Sequence, residues 1–171
     1  MPEQRHAEWL DVVNKYDKVI GRALRSDVHR RALYHRSTHI LLFDSKQRVF
    51  VQLRSASKDT NPGLWDSSAA GHVDAGERYA ACAARELREE LGVAVQEQEL
   101  LETDRFAPNP SSGYEFMRVY RCVSDAPITL EINEVADGRW VSPTELDHWL
   151  KKHPEQFTDT FATIWHNNRS R

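Results

Sequence analysis

Apolar residues along this chain follow two rhythms. Over residues 49–54 they alternate, with Val49, Val51 and Leu53 on one side and Phe50, Gln52 and Arg54 on the other, which is the period of a strand. Ile40–Phe43 form a second apolar run and Asp44–Gln47 supply a turn, so the two runs predict a hairpin. From Arg78 to Leu91 the period changes. Ala80, Ala84, Leu87 and Leu91 recur at helical spacing and predict a helix with that stripe buried, ended by Gly92. Before the hairpin, residues 8–25 read as two short strands around a turn at Lys15–Asp17. Residues 26–35 read as a short helix that Ser26 caps. Residues 55–63 are a loop closing on Pro62-Gly63, and residues 64–73 read as one strand. Further strands are expected over 98–106, 114–123 and 134–142. Ser142-Pro143-Thr144-Glu145 has capping-box spacing, so a helix starts there and runs to about Lys152, where Pro154 follows. A last helix over 158–168 turns Phe161, Ile164 and Trp165 inward. Strands around a central helix, then terminal helices, predict an α/β (α+β) domain spanning 1–171. Its parts are N-terminal strands and a short helix (1–35), a core (36–141) and C-terminal helices (142–171).

Composition narrows the function classes. The 171 residues are 40% hydrophobic and 29% charged, an ordinary globular balance. A net charge of −3 offers no general attraction for nucleic acid or anionic membrane, so neither is expected as a partner. No apolar run approaches the ~20 residues of a membrane span, and the polar start has no signal-peptide core. Cys82 and Cys122 make neither a disulfide framework nor a zinc set, and two reduced thiols fit a cytoplasmic protein.

The expected central helix carries an electrostatic liability. Glu86, Glu89 and Glu90 stand at i, i+3 and i+4, one helix face, where like charges repel. Two such charges ~4 Å apart cost about 1 kcal/mol in water and about 4 at intermediate dielectric. Carboxylates so clustered are hard oxygen ligands suited to Mg²⁺ or Mn²⁺, which would turn repulsion into attraction. A solvated acidic face with basic partners is the plainer alternative for "RELREE" alone.

The surrounding residues decide between them. Gly71, five spacers, Glu77, seven spacers, Arg85-Glu86-Leu87, one spacer, Glu89-Glu90, one spacer and Gly92-Val93 reproduce every specified position of the Nudix signature. Chance would place the seven fixed identities so about once in ~10⁸ starting points. The chain is thus identified as a member of the Nudix hydrolase family. The resemblance implies an α/β/α sandwich with a mixed central sheet. It also implies Mg²⁺ (Mn²⁺ as the alternative) at Glu86, Glu89 and Glu90, with the Gly71 carbonyl helping. Glu77 and Arg85 pair, in the family, to lock the loop onto the helix. A homodimer is one assembly that the resemblance allows.

Residues 8–72 resemble one branch, that of isopentenyl-diphosphate isomerase and its hydrolase relatives: a His-Arg before the first core strand, "QLRS", "K-x-x-x-PG-x-W" and "GH". The isomerase needs a cysteine in the strand just before the Gly-His, where this chain has Ala70. His35, His72 and Glu115 fall near the isomerase's metal ligands. The intact box favours hydrolysis, with the isomerase and a catalytically inactive nucleotide-binding module as alternatives.

The implied reaction is attack of water on a phosphorus of a nucleoside diphosphate linked to another group, or of a similar small-molecule diphosphate. Its general base would be one of the helix carboxylates or an acid outside the helix, for which Glu115 and Glu134 are the candidates, each of which would otherwise be an exposed strand residue. Arg54 would clamp a phosphate, or instead make a surface ion pair. Trp65, Phe106 and Tyr114 would stack on a base, or instead lie in the core. Pro108, fifteen residues after Val93, is a weak pointer to ADP-ribose-type substrates.

Overall fold

The computed structural model describes residues 7–171; most of the polar start read above lies at residues 1–6, outside them. Among the described residues there are nine strands and four α-helices. The first two strands, β1 (Trp9–Val13) and β2 (Val19–Leu24), form an antiparallel hairpin of their own. The short helix α1 (Arg25–Arg30) follows directly. Ser26 lies inside it and caps nothing: Leu24 holds the cap position without a side-chain bond. The turn is closed by backbone bonds, Arg31 N–H to Asp27 and Leu33 N–H to Val28.

β3 (His35–Phe43) begins five residues before the apolar run that announced it. Its polar first half is buried because it pairs on both sides. β8 (Glu115–Val123) runs parallel to it over its whole length, and β6 (Ala69–His72) pairs antiparallel with Ser37–Ile40. β4 (Val49–Arg54) meets β3 only at Val49–Phe43 and then diverges. β5 (Trp65–Asp66) takes up β4 at Gln52 and Leu53. The single strand expected over 64–73 is therefore two, bent at Ser67-Ser68 to fill the fork. The buried Ser68 hydroxyl ties the fork together: it accepts from Leu42 N–H at 2.8 Å and donates to the Phe50 carbonyl at 2.6 Å. β7 (Leu101–Phe106) and β9 (Val135–Val141) complete a mixed seven-stranded sheet; residues 98 and 99, read as the start of a strand, belong instead to a 3₁₀ turn over Glu97–Glu99.

Both sheet faces are covered. Ile40, Leu42, Phe50 and Ala69 pack against Cys82, Ala83, Leu87 and Leu91 of α2 (Tyr79–Leu91). Leu41, Val49, Val51 and Val119 pack against Leu146 of α3 (Pro143–Lys152) and Phe161, Ile164 and Trp165 of α4 (Asp159–Arg169). The result is the expected α/β/α sandwich with a mixed sheet. α2 ends as predicted, with Gly92 left-handed at φ 67°. α3 starts on the predicted capping box, Ser142 Oγ accepting from Glu145 N–H at 3.2 Å. Among the described residues no helix is long and apolar enough to cross a membrane.

Candidate functional site

The stripe expected from sequence is buried, with Leu87 and Leu91 in the core and Ala80 and Ala84 packed against it, but the buried face of α2 is wider than that stripe and also takes in Tyr79, Cys82, Ala83, Glu86 and Glu90. Ala80 and Ala84 are only half-buried, while Glu86 and Glu90 are buried. Glu89 alone of the three glutamates points outward, its side chain 56% exposed. The acidic knot is therefore wedged between helix and sheet.

Small residues in β6 make room for it. A Cβ on Gly71 would lie 2.0 Å from Glu86 Oε1. Glu90 is held on both oxygens: the Gln52 amide donates to Oε2 at 2.7 Å and Ala70 N–H to Oε1 at 3.0 Å. Arg85 joins the remaining acids. Its Nε and Nη2 donate to Glu77 at 2.8 and 2.9 Å, Nη1 to Glu86 at 2.7 Å and Glu89 at 3.2 Å, and Nη2 also to the His72 carbonyl at 3.1 Å. Glu77 in turn accepts from Asp74 N–H at 3.0 Å, so the loop 73–78 is fastened to the helix as the signature implied.

Burial, reinforced by Glu90 nearby, pushes the Glu86 carboxyl up to about 8, against the pull of Arg85. Burial likewise pushes Glu90 up to about 7, although the Gln52 and Ala70 hydrogen bonds oppose it. Two buried carboxylates that disfavour being charged together, beside a third that is exposed, suit a hard divalent cation better than they suit a plain salt-bridged surface.

Consecutive residues of β6 serve opposite faces of the sheet. Gly71 pairs with Thr38, whose hydroxyl contacts Cys82 on α2, so Gly71 faces the acidic helix. His72 pairs with Ser37 and faces the other side. There it joins His29, His35 and Glu115, whose ligand atoms all lie within 4.8 Å of one another. Glu115 Oε1 is 3.0 Å from His72 Nε2 and 3.5 Å from His35 Nε2. His35 Nε2 is buried without a hydrogen-bond partner, while its Nδ1 is fixed by the Leu33 carbonyl at 2.8 Å. Burial opposes charge on His72, but hydrogen bonds to Glu115 and Glu8 outweigh it and raise its pKa to about 9. Burial also opposes charge on Glu115, yet the His35 ring beside it and the hydrogen bond with His72 hold it well below the usual carboxylate range. Sequence reading missed His29, which reaches the cluster only because α1 follows β2 without a linker, and Glu8, which approaches His72 Nδ1 at 3.5 Å. Gln52 was assigned to the correct face by alternation, but its contact with Glu90 was not foreseen.

The remaining candidates separate. Glu134 stays on the acidic helix's side, ion-paired with Lys58, and its charge bears on Glu90. Glu115 belongs to the histidine cluster instead. Arg54 is committed to the protein: it donates to the Thr60 carbonyl at 2.8 Å and contacts Asp66 at 3.4 Å. Trp65 packs edge-on against Trp149 at 5.1 Å, in the layer of α3 and α4 and away from the carboxylates. Tyr114 leans on Tyr34 at 6.2 Å, and Phe106 lies on the sheet edge near Tyr79. None of the three aromatic candidates borders the glutamates.

Comparison with known proteins makes the family explicit: the NUDIX domain model matches residues 33–161, and the chain belongs to the Nudix family. The Pseudomonas aeruginosa Nudix hydrolase PA4841 is 40% identical over 137 residues, 80% of each chain. Isopentenyl-diphosphate Delta-isomerase 2 of Photorhabdus laumondii is 33% identical over 159 residues, 92% of this chain and 90% of that one. The crystal structure of DR0079 from Deinococcus radiodurans superposes with a TM-score of 0.79 at 31% identity, covering 93% of this chain and 98% of that one.

Proposed function

We propose that the chain hydrolyses the diphosphate linkage of a nucleoside diphosphate joined to another group, using Mg²⁺, with Mn²⁺ as a substitute. The observation that carries this reading is the pair of buried carboxylates, Glu86 and Glu90, facing a Gly71 that leaves Glu86 its space. Glu86, Glu89 and Glu90, with the Gly71 carbonyl, would hold the metal. A divalent ion there supplies charge neutralisation for the phosphoryl oxygens and a water of lowered pKa. Arg85 and Glu77 keep the loop and the helix in register. Gln52 and Ala70 N–H aim the Glu90 carboxylate. Glu134 is the base this arrangement favours, because Glu115 is engaged by two histidines on the opposite face of the sheet. The protein works as a cytoplasmic enzyme on small molecules, with no nucleic acid partner, as a monomer or homodimer.

A second reading, an isomerase-like enzyme, is favoured by the histidine cluster, whose donors suit a transition metal. Ala70 opposes it, since a methyl group moves no proton. One screen separates the readings. Purified protein with Mg²⁺ or Mn²⁺ is offered nucleotide sugars, dinucleotides, nucleoside triphosphates and isopentenyl diphosphate. Hydrolysis of a nucleoside diphosphate derivative that is lost in Glu89→Gln, with melting temperature unchanged, supports the proposal. Isomerisation of isopentenyl diphosphate would overturn it, and binding without turnover across the panel would make the chain a nucleotide-binding module.

A further inference from the structure

At the far end of α2 from the glutamates lies a cavity of about 340 Å³, between the β1–β2 turn and the β7–β8 edge of the sheet. Its volume falls in the range of small-molecule pockets, roughly 300–1,000 Å³. Tyr79, which borders it, precedes Glu86 by seven residues on the same helix face, about 10 Å along the axis. The buried Cys82 and Ala83 fill the helix–sheet seam between them, so this cavity is separate from the acidic site.

Its walls combine aromatic rings with cations. Tyr16, Tyr79 and Phe106 supply rings, and Lys15, Arg105 and Arg118 supply positive charge. The acid among them, Asp17, is already engaged by Arg36 Nε at 2.6 Å and by the Tyr79 hydroxyl at 3.0 Å. Arg118 sits over the Tyr79 ring at 4.0 Å, with Asp17 at 3.7 Å and Glu102, which is also ion-paired with Arg105, at 3.5 Å. A guanidinium has five donors in a planar fork, so most of its capacity is unspent. Tyr16 stands 69% exposed at the hairpin tip, with the Lys15 ammonium 5.0 Å over its ring. An exposed ring with one face open, beside a cationic pocket, is chemistry that matches a planar, negatively charged molecule: the ring accepts the flat part by stacking, the cations accept the phosphate.

We infer that this cavity is an accessory nucleotide subsite, which takes the base and the 5′-phosphate of a nucleoside monophosphate or diphosphate outside the metal centre. Its occupancy needs no divalent cation, so it is measured independently of the hydrolytic reading. Calorimetric titration of the full chain with AMP, in EDTA, is the test. Saturable binding is expected, weakened about tenfold or more in Arg118→Ala and in the double variant Lys15→Ala/Tyr16→Ala, given the ~1–3 kcal/mol worth of one stacked base. The double variant changes two exposed side chains, and the turn itself is held by Asn14, whose side-chain Oδ1 accepts from Tyr16 N–H at 2.9 Å, so the fold is retained. Adenosine and inorganic phosphate should each bind at least about tenfold more weakly than AMP, since each keeps only half of the contacts. Absence of saturable AMP binding by the wild-type chain, an unchanged affinity in the double variant, or phosphate binding as tightly as AMP would each overturn the inference.

Discussion

Replacing Gly71 by alanine isolates the cradle of the acidic site. Gly71 does not have a positive φ, so alanine fits the backbone without strain. The added methyl would lie 2.0 Å from Glu86 Oε1, whereas ordinary contact begins at about 3.4 Å. The carboxylate must therefore retreat by about 1.4 Å, and Arg85, bonded to that oxygen at 2.7 Å, must follow or let go. A misplacement of about 1 Å at a reacting centre costs roughly 10²-fold in rate. The expected outcome is a loss near a hundredfold in kcat, a higher Mg²⁺ requirement, and a melting temperature no lower than wild type. The stability expectation follows because the variant narrows the unfolded ensemble by about 0.4–1 kcal/mol and lets a reluctant carboxylate leave its burial. Steady-state kinetics over a Mg²⁺ series and thermal unfolding without metal provide the measurements. Activity within about twofold of wild type would show that Glu86 does not need its present position. Activity lost together with a collapsed melting temperature would show that Gly71 serves the fold and not the site.

Two further perturbations follow from the same contacts. Glu86 and Glu90, at about 8 and about 7 against an ordinary 4.5, bind more protons folded than unfolded, so their contribution to stability is fully present below pH 4.5 and is lost as pH rises through 7 to 8. Without divalent cation the melting temperature should fall between pH 5 and 8.5, and the gain on adding Mg²⁺ should grow over the same interval; a metal-induced gain that is independent of pH would refute the assignment. Ser68→Ala removes both partners of the fork, leaving Leu42 N–H and the Phe50 carbonyl unsatisfied in the core. Urea unfolding should show a loss of about 1–3 kcal/mol, and a loss below about 0.5 kcal/mol would mean that water or a shifted strand replaces the hydroxyl.

How much of this was legible in the sequence depended on whether the physical cause was local. The α3 cap, the Gly92 stop and the β4 alternation are local, and each stands where its residues put it. Glu77 and Arg85 pair for the same reason, since a loop-closing contact needs only the chain's own spacing. What failed was set by pairing at a distance. β3 begins at His35 because β8 and β6 cover its polar half, and nothing between residues 35 and 39 announces those partners. Ser26 loses its cap role because β2 runs into α1 at Leu24 with no turn between them. The buried stripe of α2 was read too narrowly for a deeper reason. A periodicity rule assigns glutamate to water, but α2 buries two glutamates, since the face of β6 opposite them carries Ala69 and Gly71 in place of bulk and the Ala70 N–H binds Glu90. Side chains that violate the polar-outside rule at both ends of one contact, acids on the helix and vacated space on the strand, mark where packing has been given up for chemistry. The same reasoning applies across the sheet, where His35 Nε2 lies buried with no hydrogen-bond partner beside His29, His72 and Glu115. In both places the local cost is visible in the fold.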